Sequence, residues 1–192
     1  NLLHGQNGFL TTALLAAGGL WMDRRPALAG LSLASLAFKP QLGLLVLPVL
    51  LATRRWAVLG WAVVAGLAWV AATLVAFGPG VWWAFLARLP DAGAAVENGG
   101  LDLWKLQSVF AMAATLGLPR GAAGIVQAVV SVGVVVSSAW VLRRRPDGQA
   151  EAAVIGAGAP LVTPFVLSYD LVILLVPMAW LLASARRGGF MP

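Results

Sequence analysis

The 192-residue chain is 60% hydrophobic and only 10% charged, with a mean hydropathy of +0.89, far from the roughly 25% charged residues of a soluble domain. Its net charge of +6 does not describe a nucleic-acid binder: nine of the thirteen basic residues fall in four arginine clusters, leaving no basic stripe with interleaved aromatics. With no cysteine and one histidine, disulfides and thiolate metal sites are excluded and a histidine-rich metal site is implausible; neither a metal nor a cofactor is expected.

The clusters are Arg24-Arg25, Arg54-Arg55, Arg143-Arg144-Arg145 and Arg186-Arg187. Clustered Lys/Arg beside apolar spans marks the cytoplasmic face of a membrane protein. With all four inside, each interval must leave and return. The chain therefore reads as an all-α, polytopic protein of the cytoplasmic membrane, a single transmembrane domain over 1–192. About seven to eight hydrophobic helices are expected, several of them short.

In chain order, Gly8 to Met22 is a first apolar segment, with His4-Gly5-Gln6-Asn7 at its outer end. Ala27 to Phe38 and Leu42 to Ala52 are short apolar runs separated by Lys39-Pro40-Gln41. One continuous helix here would put Arg54-Arg55 opposite Arg24-Arg25, whereas a hairpin keeps both doublets inside, as the positive-inside rule prefers. Twelve helical residues rise only about 18 Å, so the hairpin's turn would lie below the outer surface. Backbone there must be packed in protein or line a wet cavity.

Trp56 to Phe77 is long enough to cross and is stopped by Gly78-Pro79-Gly80. An outer loop spans about 80–107, and Ser108 to Leu118 is too short to cross alone. Ala122 to Leu142 returns to the arginine triplet. Ala152 to Leu167 leaves again, interrupted by Pro160 and Pro164, and Leu171 to Ala185 descends after Ser168-Tyr169-Asp170. Trp21, Trp56, Trp140 and Trp180 near the arginines, and Trp82, Trp83 and Trp104 in the outer loop, fit two interfacial belts. Trp61 and Trp69 fit neither and read as packing residues.

Lys39 is the residue most in need of explanation, because a lysine amid apolar runs costs several kcal/mol in lipid unless paired, hydrated or snorkelling. It reads either as an anion site for a phosphate or as a structural ion pair, with Asp170 the obvious partner. Asp170 has three readings: helix cap, ligand of a substrate hydroxyl, or holder of Lys39. Gln6, Asn7 and Gln41 offer both a donor and an acceptor, which suits sugar hydroxyls, although Asn7 would equally cap the first helix and His4 would equally be a loop residue. The loop acids Asp91, Glu97 and Asp102 include candidates for a general base, but such residues are more often solvated charges.

Gly5-Gln6-Asn7-Gly8, Ala37-Phe38-Lys39-Pro40-Gln41 and Thr163-Pro164-Phe165 leading to Ser168-Tyr169-Asp170 resemble family 87 glycosyltransferases. These are GT-C enzymes that include polyprenyl-phosphate-mannose-dependent α-mannosyltransferases. The resemblance implies transfer of mannose or another hexose, with inversion, from a polyprenyl-phosphate donor to a lipid or glycan acceptor on the extracytoplasmic side. It places Lys39 and Gln41 at the donor, Gln6, Asn7, His4 and Tyr169 around the same cavity, and Asp170 on a hydroxyl or on Lys39. Partners are then that donor, that acceptor and membrane lipids, with no nucleic acid. The catalytic carboxylate of GT-C enzymes usually lies in a first outer loop, expected upstream of Asn1 in a longer chain, so no general base is assigned. The rival from another class is a transporter or lipid flippase component, which would also place Lys39 and Asp170 at broken helices.

Overall fold

In the computed structural model, residues 6–97, 102–144 and 147–188 are described, and among them the chain is helical with no strand. The helices are α1 (Gly8–Trp21), α2 (Pro26–Ala34), α3 (Pro40–Gly43), α4 (Val46–Ala52), α5 (Trp56–Phe77), α6 (Pro79–Glu97), α7 (Val109–Thr115), α8 (Arg120–Leu142), α9 (Gly148–Val162) and α10 (Leu175–Gly188). Two longer 3-10 segments, Ser35–Phe38 and Ser168–Leu174, interrupt the apolar runs. Within the stretch read as an outer loop, Pro79–Glu97 is helical. Three helical stretches are long and apolar enough to cross a membrane: Trp56–Phe77, Arg120–Leu142 and Ser168–Arg187. Gly8–Trp21, Pro26–Phe38 and Pro40–Ala52 are shorter apolar helices.

The apolar segment after Arg25 is a hairpin. Gly30 of α2 lies against Val58, Trp61 and Ala62 of α5, and five residues on, Ser35 meets Trp69. Thus α2 and α5 run in the same direction, and the intervening α3–α4 must run back. Asp23 and Arg55 are joined by an ion pair of 2.6 Å, which puts the first two arginine doublets at one end. Gly148 meets Gly19 and Met22, Arg143 and Arg144 share a cavity with Arg54, and Pro177 of α10 packs on Gly156 of α9. The described residues of all four clusters therefore gather at one end of the bundle, called here the arginine end.

Small residues bring the helices close. A Cβ on Gly30 would stand 2.7 Å from the Ala62 nitrogen and 2.8 Å from the Val58 carbonyl oxygen, so only glycine lets α2 and α5 approach at this point. Such contacts substitute for the hydrophobic drive that is missing between helices in lipid. The core consists of Leu15, Leu36, Leu42, Leu45, Leu50, Ile155 and Ile173, contributed by α1, the hairpin, α9 and the segment before α10. By contrast, α5 is apolar all round and buries only Val58, as expected of a helix whose outer face is solvated by lipid. Trp61 and Trp69, read as packing residues, are each half exposed on that face. Both still join α5 to the hairpin, Trp61 beside Gly30 and Trp69 through its indole N–H to Ser35 Oγ at 3.2 Å.

Candidate functional site

Two proline-made corners meet. Proline disfavours the α conformation in the residue before it, so Lys39 leaves the 3-10 segment at φ −134°, ψ 70° and Pro40 starts α3. The Lys39 amide still donates to Leu36 O at 2.8 Å, and its carbonyl accepts from Leu42 N at 3.0 Å. In the same way, Thr163 before Pro164 is extended at φ −119°, ψ 142° and ends α9. The chain runs extended to Leu167 and re-enters 3-10 geometry at Ser168.

At the meeting point the Lys39 ammonium donates to Asp170 Oδ1 at 2.5 Å. The other carboxylate oxygen, Oδ2, accepts the Leu167 amide at 3.2 Å, so Asp170 both holds the lysine and fixes its own corner. The Lys39 Nζ also stands 4.6 Å over the Tyr169 ring, a cation–π geometry. The Asp170 side chain is 1% exposed and that of Lys39 12%. An ammonium has three donors, and among the described residues one is satisfied, by Asp170.

A side-chain network missed in the sequence fixes the Asp170 corner. Breaking α9 at Pro164 leaves the carbonyls of its last turn without helical partners. Gln127 of α8 donates to Leu161 O at 2.8 Å, and Ser131 Oγ lies 2.9 Å from Val162 O. The Gln127 carbonyl accepts the Phe110 amide of α7 at 3.0 Å. One buried glutamine thus caps two helix ends. Gln107 N donates to Val166 O at 2.7 Å, tying the end of the 80–107 stretch to the same corner.

The other expected site residues divide. Gln6 and Asn7 immediately precede α1, which packs along Ser168–Leu174 and touches Ser35–Phe38, and Gln41 lies in α3, two residues after Lys39. All three are partly buried. Among the described residues no hydrogen bond joins their side chains to Lys39 or Asp170. Asn7 does not cap α1 through its side chain; its carbonyl accepts both Thr11 N and Thr11 Oγ1. His4 lies outside the described residues, as do the side chains of Asp91 and Glu97. Asp102 is an exposed charge paired with Lys105 at 2.9 Å. Beside Pro40 an apolar wedge of about 410 Å³ opens between the hairpin arms and α5, lined by Leu36, Leu44, Leu47 and Leu59 among others. Among the described residues no three His, Cys, Asp or Glu side chains gather to hold a metal.

A second polar cluster lies at the arginine end. Glu151, fully buried in the first turn of α9, accepts from Arg55 Nη2 at 2.9 Å and Nε at 3.1 Å, with Thr53 Oγ1 at 3.2 Å. Arg55 also reaches Asp23, whose second oxygen accepts the Gly148 amide at 3.1 Å. Burial works against the charge on Arg55, and the hydrogen bonds and charges of Glu151 and Asp23 outweigh it, pushing its pKa up. The cluster's one signal along the chain is Asp23, an acid directly beside a basic cluster.

The helical spans, lipid-facing α5 and a buried ion pair at paired helix breaks define a polytopic membrane protein with a polar centre at the end away from the arginines. The chain belongs to glycosyltransferase family 87, whose family model matches residues 1–164. Membership implies glycosyl transfer. Lys39 lies inside the matched stretch and Asp170 just beyond it. No curated protein and no solved structure matches the chain.

Proposed function

We propose that the protein moves mannose or another hexose from a polyprenyl-phosphate donor to a lipid or glycan acceptor at the extracytoplasmic face of the cell membrane, with Lys39 receiving the donor phosphate. One observation carries this: in a family 87 chain, a lysine at a helix break is held by a buried carboxylate, with two of its ammonium donors unmatched among the described residues. The acceptor hydroxyl oxygen attacks the anomeric carbon from the face opposite the phosphate, inverting the centre. The bond from that carbon to the phosphate oxygen breaks, and the electron pair departs on polyprenyl phosphate. The hydroxyl proton passes to a carboxylate base, for which no residue is assigned. Lys39 neutralises charge developing on the leaving phosphate, a role worth about 10²–10³ in rate when a single such donor is removed. Asp170 and Tyr169 position the ammonium, while Gln6, Asn7 and Gln41 border the sugar. The apolar wedge beside Pro40 suits the first prenyl units. Family membership favours this reading over the transporter or flippase component, which no observation supports.

The test is Lys39→Met in the full-length protein with a radiolabelled polyprenyl-phosphate sugar. Removing one partner of a buried pair costs about 3–5 kcal/mol, so the double variant Lys39→Met/Asp170→Asn, which leaves no orphan charge, serves as the folding control. Loss of about 100-fold in transfer by both variants, in folded protein, is expected. Unchanged transfer and donor affinity would remove Lys39 from the mechanism.

A further inference from the structure

The arginine end holds a basic cavity remote from Lys39. A cavity of about 530 Å³ is lined by Ala52, Thr53, Arg54, Arg143 and Arg144. It joins the α4–α5 connection to the C-terminal end of α8, so two arginine clusters separated by almost ninety residues of sequence face one space. Among the described residues none of Arg54, Arg143 and Arg144 has a carboxylate partner, whereas the adjacent Arg55 is consumed by Glu151 and Asp23. Thr53 lines the cavity and touches Glu151, so the neighbouring cluster of two carboxylates and one guanidinium adds a single excess negative charge against three arginines. Arg54 adopts a left-handed backbone at φ 57°, the sole non-glycine residue with positive φ among those described. That strain, held by the Arg54 N to Leu51 O and Trp56 N to Arg54 O bonds, is sustained only where surroundings demand it. The Arg144 guanidinium stacks 4.4 Å over the Trp140 ring, which orients its donor edge.

We infer that this cavity seats the phosphate of an anionic phospholipid headgroup. The depth argues for a lipid. Trp56 opens one membrane-length helix and Leu142 closes another, so the cavity lies where their apolar surfaces end. Trp56 and Trp140, both exposed, mark the same level, as interfacial tryptophans do. Below it, exposed Val63 and Leu67 of α5 and Val132 and Val136 of α8 offer apolar surface for acyl chains. Guanidinium groups bind phosphate oxygens in pairs of parallel hydrogen bonds, and basic pockets between helices recognise headgroups on this principle.

The experiment uses the full-length protein in neutral detergent, with phosphatidylglycerol and phosphatidylcholine titrated and bound lipid read by native mass spectrometry. The parent is expected to prefer phosphatidylglycerol. Arg54→Asn/Arg144→Gln, with asparagine chosen because it tolerates left-handed backbone, is expected to bind it about 25-fold more weakly, about fivefold per arginine. Arg144→Gln alone, which leaves the strained turn intact, is expected to lose about fivefold. The charge-matched Arg186→Gln/Arg187→Gln should change affinity by less than about twofold. Equal weakening by the two double variants would reduce the site to diffuse surface attraction and overturn the inference. So would equal affinity for the two lipids, or displacement of phosphatidylglycerol by equimolar inorganic phosphate, which would mark a site for free phosphate.

Discussion

The two buried ion clusters are built from similar parts and have opposite characters. At the arginine end, Arg55 spends its fork on Glu151 and Asp23, and the fully buried Glu151 takes a further contact from Thr53. Two carboxylates share the one guanidinium, Glu151 buried and Asp23 half exposed to solvent, and the result ties the α1–α2 connection, the α4–α5 connection and the start of α9 together. At the far end, Lys39 has one carboxylate and one aromatic face, with its side chain 12% exposed. A guanidinium enclosed by two carboxylates suits a clamp, while an ammonium with one carboxylate partner among the described residues suits the proposed donor site. Placement agrees with this difference, since the clamp joins helix ends and Lys39 stands at a break between them.

Four perturbations probe that contrast. Arg55→Met strands Glu151 without a counterion and should cost about 3–5 kcal/mol, read by thermal unfolding in detergent, with transfer per folded molecule unchanged. A large fall in transfer at full stability would erase the distinction between clamp and site. Asp170→Asn keeps an acceptor for the Leu167 amide but loses the charged bond to Lys39. The loss should be about 1.5–3 kcal/mol, visible as a raised KM for the donor together with lowered stability. Gln127→Leu leaves the Leu161 carbonyl and the Phe110 amide unpaired and should destabilise by roughly 1–3 kcal/mol, loosening the Asp170 corner. The smallest effect belongs to the pair outside both clusters: Lys105→Ala, whose bridge to Asp102 is half exposed on both sides, should change unfolding by less than about 0.5 kcal/mol.

The hairpin and the nearness of Lys39 to Asp170 were legible in the sequence because each has a strong local cause. Doublets at positions 24–25 and 54–55 force an even number of crossings between them, and a lone lysine in an apolar run needs a counterion. The clamp was not legible. Arg55 looks like any topology-setting arginine, and Glu151 like a first-turn helix acid, until the fold brings them together across 96 residues. Gln127 and Ser131 were hidden inside an apolar span, because what they satisfy are carbonyls of a different helix. Helix α6 was obscured by its own composition, since Arg88, Asp91 and Glu97 spoil the apolar pattern that marked its neighbours.

On the proposed function, the Lys39 ammonium, steadied by Asp170, holds a lipid-linked phosphate. Equilibrium binding of polyprenyl phosphate to the full-length protein tests it most directly, comparing the parent with Lys39→Met/Asp170→Asn. A fall of at least about tenfold in affinity, the cost of roughly one charge-assisted hydrogen bond, is the predicted result. Parent-like affinity in the folded double variant would contradict it.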